Sequence, residues 1–306
     1  TSGTNGPIVV TGELNMEGGG NLTCNSSAVS VRNLYQTAGT LNLPDASGSF
    51  TVTGTGSGGG GDGYHIRLEG GTTTHNSGTV EITAASATAV RIQSALYNLV
   101  LDSSGSGGAI QFIATTRLYG DLTLEDDFDF YSYNNSGTYY ALTVDGDVSI
   151  EGDNTLGRTE MNQNYSFGSL TIASGCTFIA TSGTTTITTG GATYSSEGSF
   201  ALVGGGTFTH NNGTLVFDSV DHRLPKGGTF YNVTLTGSQG TGGLYLYNSV
   251  LSPAGIMPDG TTGANYVSIL GTLSITDDEL RPYNADKVYI HNLVIGDGTG
   301  SANSAK

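Results

Sequence analysis

The sequence predicts an all-β fold, a single-chain β-solenoid whose parallel, β-helix-like coils carry irregular loop insertions. Three observations predict it: short runs of alternating apolar and polar residues, dense turn residues, and one phrase that occurs twice. Strict alternation indicates half-buried strands, and clusters of Gly, Asn and Asp indicate the turns that bound them. Self-similarity along a chain is typical of stacked repeat architectures.

The amino-acid composition argues against two classes of protein, those that bind nucleic acids and those that span a membrane. Charged residues make up 12 % of the chain, about half the usual share of roughly 25 %. The 10 Lys and Arg residues against 26 Asp and Glu residues give a net charge of −16, which repels a phosphate backbone. No run approaches the ~20 apolar residues of a membrane helix. The sequence therefore predicts no nucleic-acid partner and no membrane-spanning segment.

The duplicated phrase reads "GTTTHNSGTVEIT" at 71–83 and "GTFTHNNGTLVFD" at 206–218, with seven of thirteen positions identical. The interpretation is that the two copies occupy equivalent walls of a solenoid. His75 and His210 are equivalent in this alignment, which favours a structural ladder over a catalytic role for both. Cys24 and Cys176 match no metal-ligand spacing, and stacked coils would hold them too far apart to pair.

A marker residue, usually Asn, begins an alternating apolar strand at five places that lie 60 to 71 residues apart. These structural repeat markers are Asn33, Asn98, Ser169, Asn232 and Asn292. Each interval fits roughly three coils of about 20–24 residues, the lower end of stacked repeat units. We expect each marker at a corner, where an amide can bond the coils above and below.

The same spacing predicts the domain organisation. One elongated solenoid is expected over 1–306, with super-repeats near 31–97, 98–168, 169–231 and 232–295 and a polar tail at 296–306. Inward positions would include Leu99, Val233 and Leu293. The alternative is a set of tandem antiparallel β-sandwiches, against which stand the high glycine content and the absence of Trp from the sequence.

The run "GTFTHNNGTLVFDSVDHRLPKGGTFYNVTLTGS" at 206–238 resembles repeat segments of β-solenoid proteins from phage particles and bacterial surfaces. Thr209 to Thr214 and Thr229 to Leu235 carry the resemblance, and 71–104 matches more weakly. It covers about a third of the chain well. The resemblance implies a fibre, decoration or adhesin role.

Two acidic runs are candidate chemical sites. "LEDDFDF" contains Asp126, Asp127 and Asp129, and paired carboxylates can act as acid and base on a glycan. The competing interpretation, which the sequence favours, is a solvated strand edge whose charges prevent edge pairing. The sequence therefore predicts no catalytic residue, with Asp126, Asp127 and Asp129 as the alternative.

"VDGDVSIEGDN" contains Asp145, Asp147 and Asp153, and oxygen ligands at a turn suit Ca²⁺. The helix-flanked calcium loop and the calcium-binding nonapeptide repeat are both missing from the sequence. Ordinary use of Asp-Gly in turns is the favoured interpretation. The sequence therefore predicts no metal and no cofactor, with Ca²⁺ as the alternative.

The ends of a solenoid are rows of unpaired backbone groups, which must be capped or joined. We therefore expect the partners to be other copies of the chain or capsid and tail proteins, with cell-surface glycans as a further class. The expected function is that of a non-enzymatic structural protein on a virion surface or outside the cell, a phage decoration or fibre subunit. The alternatives are a secreted bacterial adhesin or filament subunit and a polysaccharide-degrading tailspike.

Overall fold

The computed structural model describes residues 6–54, 64–83, 88–102, 108–112, 114–125, 128–131, 137–189, 199–219, 222–225, 228–236, 243–246, 255–256, 262–263, 266–275, 279–281 and 287–295. These residues form strands and turns, and none of them is helical. Within these residue ranges, no helix is present that could cross a membrane. The chain divides into two compact units, Thr1–Gly146 and Asp147–Lys306.

The strands of unit 1 are short and bounded by turns. They are β1 (Ile8–Met16), β2 (Asn21–Thr23), β3 (Ala28–Gln36), β4 (Thr40–Asn42), β5 (Ser49–Val52), β6 (Tyr64–Leu68), β7 (Thr72–Thr74), β8 (Thr79–Ile82), β9 (Thr88–Ile92), β10 (Asn98–Leu101), β11 (Gly108–Phe112), β12 (Thr116–Leu118), β13 (Leu122–Leu124) and β14 (Phe128–Tyr131). β15 (Leu142–Ile150) spans the boundary between the units.

The strands of unit 2 follow the same style. They are β16 (Thr155–Leu156), β17 (Tyr165–Ile172), β18 (Thr177–Ile179), β19 (Thr184–Ile187), β20 (Phe200–Leu202), β21 (Thr207–Thr209), β22 (Thr214–Phe217), β23 (His222–Leu224), β24 (Thr229–Phe230), β25 (Asn232–Leu235), β26 (Gly243–Leu246), β27 (Gly255–Ile256), β28 (Thr262–Gly263), β29 (Tyr266–Ile275), β30 (Glu279–Arg281) and β31 (Lys287–Ile295).

Unit 1 stacks its strands in three parallel walls. The first wall contains the first half of β1, the first half of β3, and then β5, β8, β10 and β13. The second contains the second halves of β1 and β3, then β6, β9, β11 and β14. The third contains β2, β4 and β7. Successive coils of the chain thus supply successive rungs of each wall.

The core of unit 1 is a set of in-register columns that run up each wall. Val29, Phe50, Val80, Leu99 and Leu122 pair one above another in the first wall, and each is at most 2 % exposed. Their neighbours along each strand point the other way, because successive residues of a strand alternate between faces. The alternation in the sequence therefore becomes a continuous apolar interior.

Unit 2 uses the same parallel arrangement. β19, β22, β25 and the second halves of β29 and β31 form one wall. β16, β18 and β21 form a second stack. β24 and the first halves of β29 and β31 form a further stack. β20 pairs with the second half of β17, and β23, β26 and β30 pair with one another. Among the strands described in unit 2, the antiparallel pair is β27 with β28.

The parallel walls confirm the predicted β-solenoid class, because tandem sandwiches would pair their strands antiparallel. Leu99 and Val233 are fully buried, as the alternating pattern predicts. Leu293 lies in the same column as Val233 and Leu273, but it is 46 % exposed. Its exposure reflects its place in β31, for which no described strand forms a further rung beyond β29.

Candidate functional site

The first copy of the duplicated phrase folds into a tight corner. Asn76 and Ser77 both adopt the left-handed conformation, with φ of 48° and 60°, which Asn tolerates better than most residues. The His75 ring stabilises the turn, because its Nδ1 accepts a hydrogen bond from the Ser77 N–H at 3.1 Å. The Gly78 N–H donates to the His75 carbonyl at 3.0 Å, and the Asn76 amide donates to the Leu43 carbonyl of the coil below at 2.8 Å.

The second copy has the same geometry in unit 2. Asn211 and Asn212 have φ of 46° and 57°, and His210 Nδ1 accepts from the Asn212 N–H at 3.0 Å. The Gly213 N–H donates to the His210 carbonyl at 2.9 Å, and the Asn211 amide donates to the Thr159 carbonyl at 2.9 Å. The identical residues of the two phrases are therefore those that make the turn and fasten it to an earlier coil, the adjacent one for Asn76 and the next but one for Asn211.

Asn98 connects three consecutive coils at the first corner. It lies in register with Thr79 of the coil below, and its amide nitrogen is 3.4 Å from the Thr79 hydroxyl. Its amide oxygen accepts a hydrogen bond from the Asp121 N–H of the coil above at 2.9 Å. The Asn98 oxygen lies so close to the Gly120 Cα that a Cβ at Gly120 would collide with it. Glycine is therefore required at this position.

Asn232 occupies the same place in the second corner. It lies in register with Thr214, and its amide oxygen accepts from the Thr272 N–H at 2.9 Å. A Cβ at Gly271 would collide with that oxygen, as it would at Gly120. We call residues 75–79, 97–98 and 119–121 the His75 corner, and residues 210–214, 231–232 and 270–272 the His210 corner.

The other three markers do not have these contacts. Asn33 is fully buried, and neither polar atom of its side chain has a hydrogen-bond partner. The Ser169 hydroxyl lies 2.6 Å from an Asp147 carboxylate oxygen of the preceding coil. Asn292 is exposed and lies in register with Thr272.

The register also separates Asn98 from Asn33, and Ser169 from Asn232. In unit 1, Asn98 stacks over Thr79, Ser49 and Ala28 rather than over Asn33. Asn33 lies further along β3, at the junction of the first and second walls. In unit 2, Asn232 begins a strand that stacks on β22, whereas Ser169 lies in the middle of β17. The spacing therefore places Asn232 and Asn292 in one column, through Thr272, but leaves Ser169 out of it and separates Asn98 from Asn33. The element that recurs in both units is the local corner.

Aromatic rings line the outside of the His75 corner. The His75 ring stacks on both Tyr97 and Tyr119, with centroids 5.3 Å apart in each pair. Tyr119 is 43 % exposed, and the Arg117 guanidinium lies 4.8 Å from its ring centroid. A hydrogen bond to Asp145, at 2.8 Å, holds Arg117 there and raises the guanidinium pKa. The result is an exposed strip of rings with a fixed cation.

The His210 corner has a shorter strip. The His210 ring stacks on Tyr231 with centroids 5.8 Å apart, and the exposed Leu270 takes the place that Tyr119 has in unit 1. Burial lowers the pKa of His210, which keeps the ring neutral at pH 7. A crevice beside this ring, lined in part by Phe208 and Thr185, has a volume of about 10 Å³. That is close to the minimum for one water molecule and far below a ligand pocket.

The candidate acidic cluster lies largely outside the described residues. Asp126 and Asp127 are not described, and Asp129 is described only as a backbone position in β14. Glu125, which precedes them, is exposed at the end of β13. The arrangement of these carboxylates therefore stays a sequence-based hypothesis.

The three candidate calcium ligands each have a separate structural task. Asp145 binds Arg117, and Asp147 accepts from the Ser169 hydroxyl. Asp153 lies in a turn with a φ of 60°. Within the ranges that the structure describes, no group of three His, Cys, Asp or Glu residues is arranged to hold a metal ion.

The two cysteines are buried, one in each unit, and both thiols are free. Burial raises the pKa of the Cys24 thiol to about 11 and also raises that of Cys176. Both therefore remain protonated near neutral pH, and a protonated thiol is a poor nucleophile.

Sequence reasoning missed the residues that complete the corners, namely the stacked tyrosines and the glycines that lie above each Asn. A signal for them exists, because Tyr-Asn is followed one coil later by an x-Gly-x triplet in both units: "YN" then "YGD", and "YN" then "LGT". Of these residues, only the Asn is recognisable from the sequence, because it recurs before an apolar strand.

The chain matches no protein-family model, and it matches neither a curated protein nor a solved structure.

Proposed function

We propose that this protein is a non-enzymatic structural protein of a virion surface or the extracellular space, a phage decoration or fibre subunit that presents its ring-lined corners to other molecules. The observation that carries the proposal is the repetition of one corner in both units, each with stacked rings on its outer side. Repeated similar contacts bind by multivalency, so each one can be weak.

The chemistry of the rings supports a contact surface. Tyrosine and histidine combine a flat apolar face with a polar edge, and such rings are common where proteins touch partners. Tyr119 and Tyr231 are 43 % and 36 % exposed, although each is already stacked on a histidine. The stacking fixes the orientation of each ring before any partner arrives, which lowers the entropic cost of binding.

The described carboxylates also support a structural role. Asp145 and Asp147 are engaged with Arg117 and Ser169, which orders the surface of neighbouring coils. A secreted adhesin that binds host glycans through the same strips is the second candidate, because exposed rings also suit sugars. The polysaccharide-degrading tailspike rests only on the sequence of the acidic run at 125–129.

Location and activity test the proposal together. Antibodies raised against the purified chain should label intact virions or the outside of intact cells from the source, and serum pre-adsorbed with the chain serves as the control. The purified chain should release no new reducing or unsaturated ends from capsular polysaccharides. Labelling only after lysis, or release of such ends that is lost in Asp127→Ala, would overturn the structural role.

A further inference from the structure

Four nine-residue segments share one apolar pattern around a central glycine. They are 8–16, 116–124, 142–150 and 267–275. Each reads apolar, x, apolar, x, Gly, x, apolar, x, apolar, with Thr116 in the first place of the second segment. The central glycines are Gly12, Gly120, Gly146 and Gly271.

In three of these segments another coil lies directly against the glycine. A Cβ at Gly120 would meet the Tyr97 ring at 2.8 Å, and one at Gly271 would meet the Tyr231 carbonyl at 2.8 Å. A Cβ at Gly146 would meet the Gly120 carbonyl at 2.8 Å. Gly12 has no such neighbour, because no described atom lies within 4 Å of the position its Cβ would take.

A glycine inside a strand weakens it, and often marks a bulge or a place where another backbone approaches closely. Gly12 lies inside β1, whose described pairing is with β3 alone. The inward residues Val10 and Leu14 of β1 are only half-buried, whereas Val31 and Leu34 of β3 are each 1 % exposed. The outer edge of β1 therefore has the features of a strand on which another strand packs. They are a glycine without a neighbour, Gly12, and two inward apolar residues that are only half-buried, Val10 and Leu14.

β31 has the complementary features. Its described pairing is with β29 alone, and Leu293 is 46 % exposed in a column where Val233 and Leu273 are fully buried. Asn292 is exposed directly after His291, as Asn232 follows Tyr231 in the His210 corner. The outer edge of β31 therefore carries an Asn whose side chain has no coil described above it.

We propose that β1 of a second copy of this chain pairs in parallel with β31, so that copies join head to tail. In this register Leu14 of the second copy lies over Leu293, and its Gly12 lies beside Asn292. The Asn292 amide oxygen accepts a hydrogen bond from the Glu13 N–H of the second copy, as Asn98 accepts from Asp121 and Asn232 from Thr272. The inference rests on the proposed structural role and names the partner for it.

The order in which Asn strands and Gly strands follow one another at the corners favours a second copy of the chain as the partner. At both corners a coil with Asn is followed by a coil with the x-Gly-x triplet: Asn98 by Gly120, and Asn232 by Gly271. β29 has one extra residue against β31, between Ile269 and Thr272, and β1 has the same one-residue bulge against β3. β31 is an Asn strand and β1 is a Gly strand, so their pairing repeats the order found at both corners, a Gly strand on an Asn strand.

Such a contact is heterologous, and it extends to open chains of copies unless rotation closes a ring. The net charge of −16 on every copy opposes the association. Added salt screens that repulsion. We therefore expect the assembly to grow with protein concentration and with ionic strength.

Gly12→Ala tests the contact with a single methyl group. The change leaves the isolated chain intact, because the new methyl meets open space, but between copies it collides with Asn292. Sedimentation velocity over a concentration series at high salt should show dimers and larger species for the unchanged chain. Gly12→Ala should weaken association by about tenfold or more. Gly19→Ala, which also meets open space in the first coil, is the matched control and should assemble like the unchanged chain.

Mixing two defective variants tests the direction of the contact. Gly12→Ala blocks β1, and Leu293→Arg blocks β31, so neither variant alone should form chains. A mixture of the two should form dimers and stop there, because one free β31 edge meets one free β1 edge. A monomeric unchanged chain at every concentration, equal assembly of Gly12→Ala, or no dimers in the mixture would each overturn the inference. None of these results bears on surface labelling or on polysaccharide cleavage, so the proposed structural role is tested separately.

Discussion

The two units build the same corner over different cores. The stacked columns of unit 1 are mainly aliphatic, and the described ring pair in its interior is Phe112 with Phe130, 4.6 Å apart. In unit 2, Phe178 contacts Phe167 and Phe208, each at 5.9 Å, and Phe208 contacts Phe200 and Phe230. The corner geometry is therefore independent of which apolar residues fill the coil.

The comparison of the two cores indicates which residues fix the register of a coil. Aliphatic and aromatic columns can both slide by two residues without leaving an apolar interior, because a shift of two keeps every side chain on the same face. The Asn oxygen and the glycine above it cannot, because they meet only in one alignment. We expect side chains of the core to contribute more to stability than the contacts at the corner.

The largest effect is expected for Phe178→Ala. Its ring is fully buried and contacts the rings of Tyr165, Phe167 and Phe208, so the change should lower the free energy of unfolding by about 3–5 kcal/mol. Leu99→Ala in unit 1 should cost about 2–5 kcal/mol, nearer the lower end because fewer atoms are removed. Urea denaturation followed by circular dichroism measures both. A larger loss for Leu99→Ala than for Phe178→Ala would contradict the expected order.

The next effect is expected for the corner glycines. Gly120→Ala and Gly271→Ala each force a methyl group against the Asn of the coil below, which should cost about 1–3 kcal/mol. Gly12→Ala, measured in dilute solution, should change the free energy of unfolding by less than about 0.5 kcal/mol. Equal losses at all three positions would show that glycine is needed for backbone conformation rather than for close approach.

A smaller effect separates two of the asparagines. Asn98→Leu removes the acceptor for the Asp121 N–H and should cost about 1–2 kcal/mol. Asn33→Leu removes a buried amide without a hydrogen-bond partner, so stability should be unchanged or higher. Thermal and urea denaturation of the two variants side by side provide the comparison. Destabilisation by Asn33→Leu as large as that by Asn98→Leu would contradict it.

The smallest effect concerns pH. Burial lowers the pKa of His210 in the folded chain, so the unfolded chain binds the proton first as pH falls. Folding should therefore lose stability as pH drops below the ordinary histidine pKa of about 6.5, and the loss should level off below the folded pKa. His210→Gln should flatten this part of the profile relative to the unchanged chain. An identical slope in both proteins between pH 7.5 and pH 5 would rule out the effect.

The fold class could be predicted from the sequence because alternation and turn residues act locally. The columns could not, since the register depends on how many residues each loop inserts between strands. Asn33 and Asn98 precede similar apolar strands, yet one lies inside β3 and the other begins β10. The duplicated phrase suggested equivalent walls, whereas within each unit its identical residues define a turn and the fastening of that turn to an earlier coil.

The corner contacts could be predicted only in part. His75 and His210 stood out through the repeat, and the structure shows each ring accepting a hydrogen bond from its own turn. Tyr119 and Gly120 belong to the same corner, but they are separated from His75 by more than 40 residues of sequence. Pairing of residues so far apart follows from coil length, which the sequence does not state.

The stacking of rung upon rung also determines how each unit comes apart. A coil in a parallel stack contacts mainly the coils before and after it, so stability adds up along the stack as nearest-neighbour contributions. Opening then proceeds one layer at a time from whichever layer has a single neighbour, and amides of β1 should exchange with solvent far sooner than those of β8 or β10. Each unit therefore unfolds from its terminal layer inward, and any molecule that binds the terminal strand slows the opening of all the layers behind it.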